Sequence, residues 1–419
     1  MKREKALVKN TLIITIGKIC TQLITFFLLP LYTGILSTEE FGIVDLLNTL
    51  VSLLLPIVTF QVEKALFREL IEVRDSDKDK TSIISNSIFS VIAQCILYLV
   101  IFIVISTFVN NKYKYFLATN VIAYIFSSLL LQTARGLGDN KKYAIGSFIS
   151  AFFTIIFNII FLVVIKLGAN GMLLGTLLGH LSCVVYLFFS LKVYKYINIK
   201  AVDNKIIRRL WTYSIPLIPN AISWWVFNAS DRVIVSAFLG LSSNGLLSAA
   251  TKFSTVYITL YNMFDMSWTE SMALHINDDD IEDYFSKVFN IMINLFISLA
   301  MGIIACMPFV YPILINEKFA LGYGLVPILI IASFFNVIVG LISVIYVAKK
   351  NTKAIANTSV FAAICNIVTH LCLIKFIGLY AAVVSTLVSY FVMTLYRIYD
   401  INKKYFKIYI PINMMIKSA

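Results

Sequence analysis

The chain has 419 residues, of which 59% are hydrophobic and 14% charged, and a formal net charge of +13 at pH 7. So little polar surface excludes a soluble globular protein of this size, and apolar residues spread over the whole length exclude a cleaved leader as their explanation. The positive charge does not mark a nucleic-acid binder, because Lys and Arg gather in alternate loops between apolar runs instead of on a soluble face with stacking aromatics.

The apolar runs are about 20 residues long, enough to cross roughly 30 Å of hydrocarbon at about 1.5 Å rise per residue. In chain order they give twelve spans. The first six are 11–35, 41–66, 82–108, 115–134, 144–165 and 171–191; the second six are 212–239, 245–268, 285–311, 325–348, 354–374 and 379–396. The N-terminal segment (Lys2, Arg3, Lys5, Lys9), the even-numbered connections and the C-terminal tail hold most of the 35 Lys and Arg residues. The odd-numbered connections hold only Lys112, Lys114, Lys166, Lys318 and Lys375. This bias predicts a multi-pass protein with both termini in the cytoplasm.

The longest polar connection, 192–211, carries Lys195, Lys200, Lys205, Arg208 and Arg209. It divides the chain into an N-terminal lobe (1–198), a cytoplasmic linker (199–211) and a C-terminal lobe with a short tail (212–419). Ile206, Ile207 and Leu210 read either as an amphipathic helix along the membrane interface or as part of an ordinary basic linker. The halves look related. Gly168 to His180 can be laid over Gly378 to Tyr390, with Gly168 on Gly378 and Thr176 on Thr386. Asn140 and Asn351 precede, and Asn158 and Asn366 sit in the helices between. Six spans per half preserve the orientation of the repeat, giving two lobes related by an axis along the membrane normal, a plan that favours transport over catalysis.

Polar stripes at helical spacing run along the first two spans of each half. Span one has Thr11, Thr15, Lys18, Gln22 and Thr25; span two has Asp45, Thr49, Ser52, Pro56, Thr59 and Glu63. Span seven has Asn220, Trp224, Asn228 and the Asp231-Arg232 pair; span eight has Lys252, Thr255, Thr259, Asn262 and Asp265. Spans four and ten add Asn120, Tyr124 and Ser127, and Ser333, Asn336, Gly340 and Ser343. Hydroxyls and amides at this spacing also serve simply to knit helices together. Ionisable groups need a stronger reason, since each costs about 2.5–3.5 kcal/mol at the centre of a span. Lys18 either faces a cavity or snorkels back to the cytoplasmic surface. Arg232 either pairs with Asp231 or Asp45 or meets a ligand, and the Asp231-Arg232 pair also suits a gate or a latch between lobes. His180 and His370 read as packed, hydrogen-bonded histidines, and the six cysteines as small packing residues. No Walker A, GxSxG, HExxH or Cys/His cluster is present, which argues against an enzyme, a metal centre or a cofactor.

Three stretches resemble one known family. Leu31 to Leu46 (LYTGILSTEEFGIVDL) resembles the first outer turn and second-helix start of Wzx-type polysaccharide flippases. Ser230 to Phe253 (SDRVIVSAFLGLSSNGLLSAATKF) resembles their seventh-to-eighth helix signature, and Arg135 to Ala144 (RGLGDNKKYA) a cytoplasmic loop. Leu247 departs from the pattern, standing where the family commonly has Tyr. The resemblance implies an all-α integral membrane protein of the multidrug/oligosaccharidyl-lipid/polysaccharide exporter superfamily. Twelve transmembrane helices would form two six-helix, MATE-like lobes around a central cavity. It further implies translocation of an undecaprenyl-pyrophosphate-linked oligosaccharide repeat unit, for O-antigen or capsule, from the inner to the outer leaflet of a bacterial inner membrane. Lys18, Gln22, Asn220, Trp224, Asn228, Arg232, Lys252 and Asn262 would then meet substrate, with Trp224 or Trp225 stacking on a sugar. Asp45, Glu63, Asp231 and Asp265 would serve gating or coupling to H⁺ or Na⁺. Expected partners are the lipid-linked oligosaccharide, membrane lipids, a polysaccharide polymerase and a chain-length regulator, with no nucleic acid. The alternatives are a cation-coupled multidrug antiporter of the same fold and a non-transporting scaffold of a polysaccharide assembly complex.

Overall fold

The computed structural model describes residues 26–108, 111–349 and 351–406, and every regular element among them is helical. In chain order these are α1 (Leu29–Ile35), α2 (Thr38–Val58), α3 (Val62–Glu72), α4 (Asp77–Ser106), α5 (Lys114–Gly136), α6 (Asn140–Ile159, prolonged by a π-helical turn Ile160–Val164) and α7 (Ala169–Ser190). There follow α8 (Asn204–Ser214), α9 (Ile218–Leu239), α10 (Leu241–His275), α11 (Ile281–Leu314), α12 (Leu325–Ala348), α13 (Thr352–Ile377) and α14 (Tyr380–Lys404).

Among the described residues, nine helices are long and apolar enough to cross a membrane: α2, α4 to α7 and α11 to α14. They coincide with expected spans two to six and nine to twelve, and the protein is a multi-pass helical membrane protein. Span one lies mostly outside the described residues. Spans seven and eight correspond to α9 and α10, which are 22 and 35 residues long but carry the polar stripes and fall outside the nine. Span two is not one helix. Pro56, which has no N–H to give, sits in the last turn of α2, and Phe60 and Gln61 take left-handed φ values of 50° and 56° before α3 begins.

The described residues gather into two compact units, one of Val44–Trp225 and one of residues 26–43 with residues 226–406. In the first unit α5 is the central helix, packed against α3, α4, α6 and α7. Its Val121, Ile125 and Leu129 meet Val62 and Leu66 of α3 and Ile84 and Val91 of α4 in one apolar core. The stretch after α7 is fastened to α4: Asn86 donates to the Ala201 carbonyl at 2.8 Å and accepts from the Asp203 amide at 2.7 Å. Then α8 docks with Leu210 fully buried and the Trp211 indole donating to Ser90 Oγ at 2.9 Å. Of the two readings of this connection, the helical one is what forms.

In the second unit α12 is central, packed against α10, α11, α13 and α14. Apolar almost throughout, it buries Val337, Leu341, Ile342 and Ile345 completely. Arg397 is buried in the unit. It donates from Nε and Nη2 to Thr358 Oγ1 (3.1 and 2.9 Å) and from Nη1 to the Val339 carbonyl and Ser343 Oγ, tying α12, α13 and α14 together. The sequence places Arg397 just past a span, in the basic tail.

The aligned repeat has a common local geometry. Asp139 caps α6 and Asn351 caps α13 through side-chain oxygens. Gly168 and Gly378, which follow these helices, have φ of 58° and 57° with ψ of −138° and −130°, a conformation open in practice only to glycine. In α7 the small residues Gly171, Gly175 and Gly179 are buried, as are Ala381, Ser385 and Ser389 at the matching positions of α14, so each second helix presents a small-residue stripe for close packing.

Candidate functional site

A polar cavity of about 260 Å³ lies within the second unit. Four helices supply it: Asp231 and Arg232 on α9, Thr251, Ser254 and Thr255 on α10, Ser333 and Asn336 on α12, and Thr386 and Tyr390 on α14. The spacing explains the convergence. Thr251 and Thr255, and Ala382, Thr386 and Tyr390, stand four residues apart and share a helix face. Leu247, which departs from the family pattern, is part of the apolar wall.

Asp231 is held from behind the cavity. His370 of α13 is fully buried and donates from Nδ1 to Asp231 Oδ1 at 2.8 Å, and Thr386 Oγ1 donates to Oδ2 at 2.9 Å. Asn366 adds an outer layer, donating to Thr386 Oγ1 at 3.3 Å. Since a carboxylate oxygen accepts, His370 carries the proton of its hydrogen bond to Asp231 on Nδ1. Its Nε2 is buried with no hydrogen-bond partner among the described residues. The carboxylate is thus oriented by two donors while its open side meets the cavity. This arrangement can bind a cation or a proton, with the Arg232 guanidinium lining the same space.

Of the residues singled out by sequence, Asp231 and Arg232 line this cavity, together with Thr255 from the stripe of span eight and Ser333 and Asn336 from the milder stripe of span ten. Lys18 and Gln22 lie outside the described residues. Asn220, Trp224 and Asn228 lie on α9, but their side chains are not among those described. Lys252 is half-buried on α10 and Asn262 is exposed, and neither contributes to the lining. Asp265 accepts a 2.7 Å hydrogen bond from Tyr261, one turn back on its own helix. Asp45 and Glu63 belong to the first unit, where Glu63 is buried and accepts from Thr59 Oγ1 at 2.9 Å. The Trp225 indole donates to the Thr49 carbonyl at 2.9 Å and Ser52 Oγ at 3.1 Å, which joins it to α2.

Sequence reasoning read His370 as a packed, hydrogen-bonded residue, which it is, but did not connect it to Asp231, 139 positions away. The usable signal was Thr386, already aligned with Thr176. In the first half His180 is likewise packed, with Nδ1 at 3.1 Å from Ser127 Oγ and its ring against Tyr124.

Comparison with solved structures gives the fold. The chain is similar to an inward-facing multidrug resistance MATE family transporter of the MOP superfamily, at TM-score 0.71 and 11% identity over 93% of this chain and 95% of that one. It is similar to lipid II flippase MurJ in an inward closed conformation, at TM-score 0.69 and 15% identity over 97% and 90%. A MOP superfamily transporter from Pyrococcus furiosus matches at TM-score 0.59 and 14% identity over 95% and 96%. Comparison with curated proteins finds no match. The sequence model described as polysaccharide biosynthesis protein covers residues 7–269, well over half of the chain. On a fold shared with MATE and MurJ transporters, this chain belongs to the polysaccharide biosynthesis protein family.

Proposed function

We propose that the protein flips an undecaprenyl-pyrophosphate-linked oligosaccharide from the cytoplasmic to the outer leaflet of a bacterial inner membrane by alternating access, for surface polysaccharide such as O-antigen or capsule. Both termini then face the cytoplasm. The observation that carries this reading is the polar cavity of the second unit, where Arg232 and Asp231 share one space with hydroxyls and Asn336 inside apolar helices. Guanidinium and hydroxyl groups suit a phosphate or a sugar hydroxyl. At about 260 Å³ the space falls below the roughly 300–1,000 Å³ of pockets that enclose a drug-sized ligand, so it serves as a subsite for one group and not for the whole substrate.

Lys18, Gln22, Lys252, Asn220, Trp224, Asn228 and Asn262 are proposed as further contacts along the path. Asp231, backed by His370, is the proposed coupling group for H⁺ or Na⁺, with Asp45, Glu63 and Asp265 as secondary candidates. A polymerase and a chain-length regulator are the proposed partners. The test is a leaflet assay on purified protein in liposomes loaded with lipid-linked oligosaccharide. Wild type should expose the glycan on the opposite face, and Lys18→Ala and Arg232→Ala should not, while remaining in the membrane at normal levels. Wild-type rates from both variants would overturn the site assignment. No glycan exposure by the wild type would reject the flippase reading in favour of a scaffold.

A further inference from the structure

The helix α8 has two unlike faces. One docks on the first unit through Leu210, Trp211 and Ser214. The other carries Lys205, Arg208, Arg209, Thr212 and Tyr213, at i, i+3, i+4, i+7 and i+8, and these line a shallow, open groove together with Glu69. Its charge is unbalanced. Glu69 is taken by Arg209, at 2.6 Å, whereas Lys205 and Arg208 make no ion pair with any described residue. Three cations against one carboxylate along one open groove call for an anion.

The surrounding structure fixes where that anion comes from. The outward-facing apolar residues of α4 run from Ile92 to Ile105 and mark its lipid-facing band. The stretch leading into α8 is pinned to Ser85 and Asn86, one to two helical turns, or about 9 Å, toward the cytoplasmic end from Ile92. Trp211 meets Phe60 edge to face just past the end of α2, which is the cytoplasmic end in the topology proposed above, so α8 itself lies at that border. Tyr194, Ile197, Ile199 and Val202 are exposed beside Lys195 and Lys200, the pairing of apolar and basic side chains that seats a segment in a headgroup layer.

We infer that the Lys205-Arg208-Arg209 face of α8 is a binding site for the phosphate of an anionic lipid headgroup in the cytoplasmic leaflet. Arg209, fixed by Glu69, forms the rigid wall, and Lys205 and Arg208 close on the phosphate oxygens. The hydroxyl of Thr212 adds a neutral donor, and the Tyr213 ring, covered by Arg68 at 5.2 Å, forms the floor. This site is separate from the cavity of the second unit and does not depend on what is transported.

The test is native mass spectrometry of the full-length protein titrated in parallel with phosphatidylglycerol, phosphatidylcholine and a polyprenyl phosphate. Wild type should retain phosphate-anion lipids over phosphatidylcholine. The double variant Lys205→Gln/Arg208→Gln should lose about 5-fold in retention per charge, or about 30-fold together. The charge-keeping variant Lys205→Arg/Arg208→Lys should bind as wild type, which separates lost charge from lost folding. Retention of both anionic lipids makes the site general for headgroup phosphates, and retention of polyprenyl phosphate alone assigns it to an isoprenoid carrier. Equal retention of all three lipids by the wild type, or undiminished binding by the double Gln variant, would overturn the site.

Discussion

Gly42 and Gly245 meet backbone to backbone where the first turns of α2 and α10 cross: a Cβ on Gly42 would lie 2.9 Å from the Gly245 nitrogen and 1.9 Å from the Leu241 carbonyl oxygen. A Cβ on Gly245 would in turn fall 1.9 Å from the Thr38 carbonyl oxygen. Asn244 seals the crossing by donating to the Gly42 carbonyl at 2.9 Å. Both glycines sit inside the stretches that carry the family resemblance, and their role is close approach. Because the obstacle is backbone, Gly245→Ala should destabilise the protein by about 1–3 kcal/mol or more, read as a lower unfolding temperature in detergent. Gly302→Ala, where a Cβ meets nothing within 4 Å, is the control and should be neutral.

At Asp231, removing the carboxylate strands a buried donor. Asp231→Ala leaves the His370 Nδ1–H with no acceptor and should cost about 1–3 kcal/mol of stability. His370→Gln keeps a donor toward Asp231, so its unfolding temperature should stay closer to wild type than that of Asp231→Ala. An unfolding temperature for His370→Gln as low as that of Asp231→Ala would show that the hydrogen bond is not what His370 contributes.

Trp225 should prove structural. Trp225→Phe loses the indole N–H that reaches the Thr49 carbonyl and Ser52 Oγ, a net cost of about 0.5–1.5 kcal/mol. The expected result is a small fall in unfolding temperature with the preference among glycans unchanged. Altered glycan preference at wild-type stability would point to a sugar contact instead.

Asp139 gives a pH signature away from the membrane. Partial burial pushes its carboxyl up, but the hydrogen bonds and charge of Lys142, amide at 3.0 Å and ammonium at 2.8 Å, more than offset this and hold it below its ordinary value of 3.8. A depressed carboxylate stabilises the folded state above its unfolded pKa, and that contribution is lost as pH falls through the folded value. The gap in stability between wild type and Asp139→Asn should therefore stay constant from about pH 5 to 8 and shrink only below pH 4. Asp139→Ala should cost about 1 kcal/mol as a lost helix cap.

The sequence by itself determined the membrane class and the position of nine spans. These depend on a local quantity, the length of an apolar run, and the glycines at 168 and 378 stand where the conformation excludes other residues. It also singled out Asp231 and Arg232, which are anomalous in an apolar helix whatever surrounds them. Only the tertiary structure decided which polar residues act together. A stripe on one helix does not say which face of which other helix it meets. So Thr386 and His370 joined Asp231, while Lys252, Asn262 and Asp265 of the neighbouring stripe turned elsewhere. The same holds for Arg397, which reads as a tail charge and is buried among Thr358, Val339 and Ser343 because three separate helices converge on it. It holds again for the break after Pro56, where apolar composition continues through residue 66 but two left-handed residues end the helix.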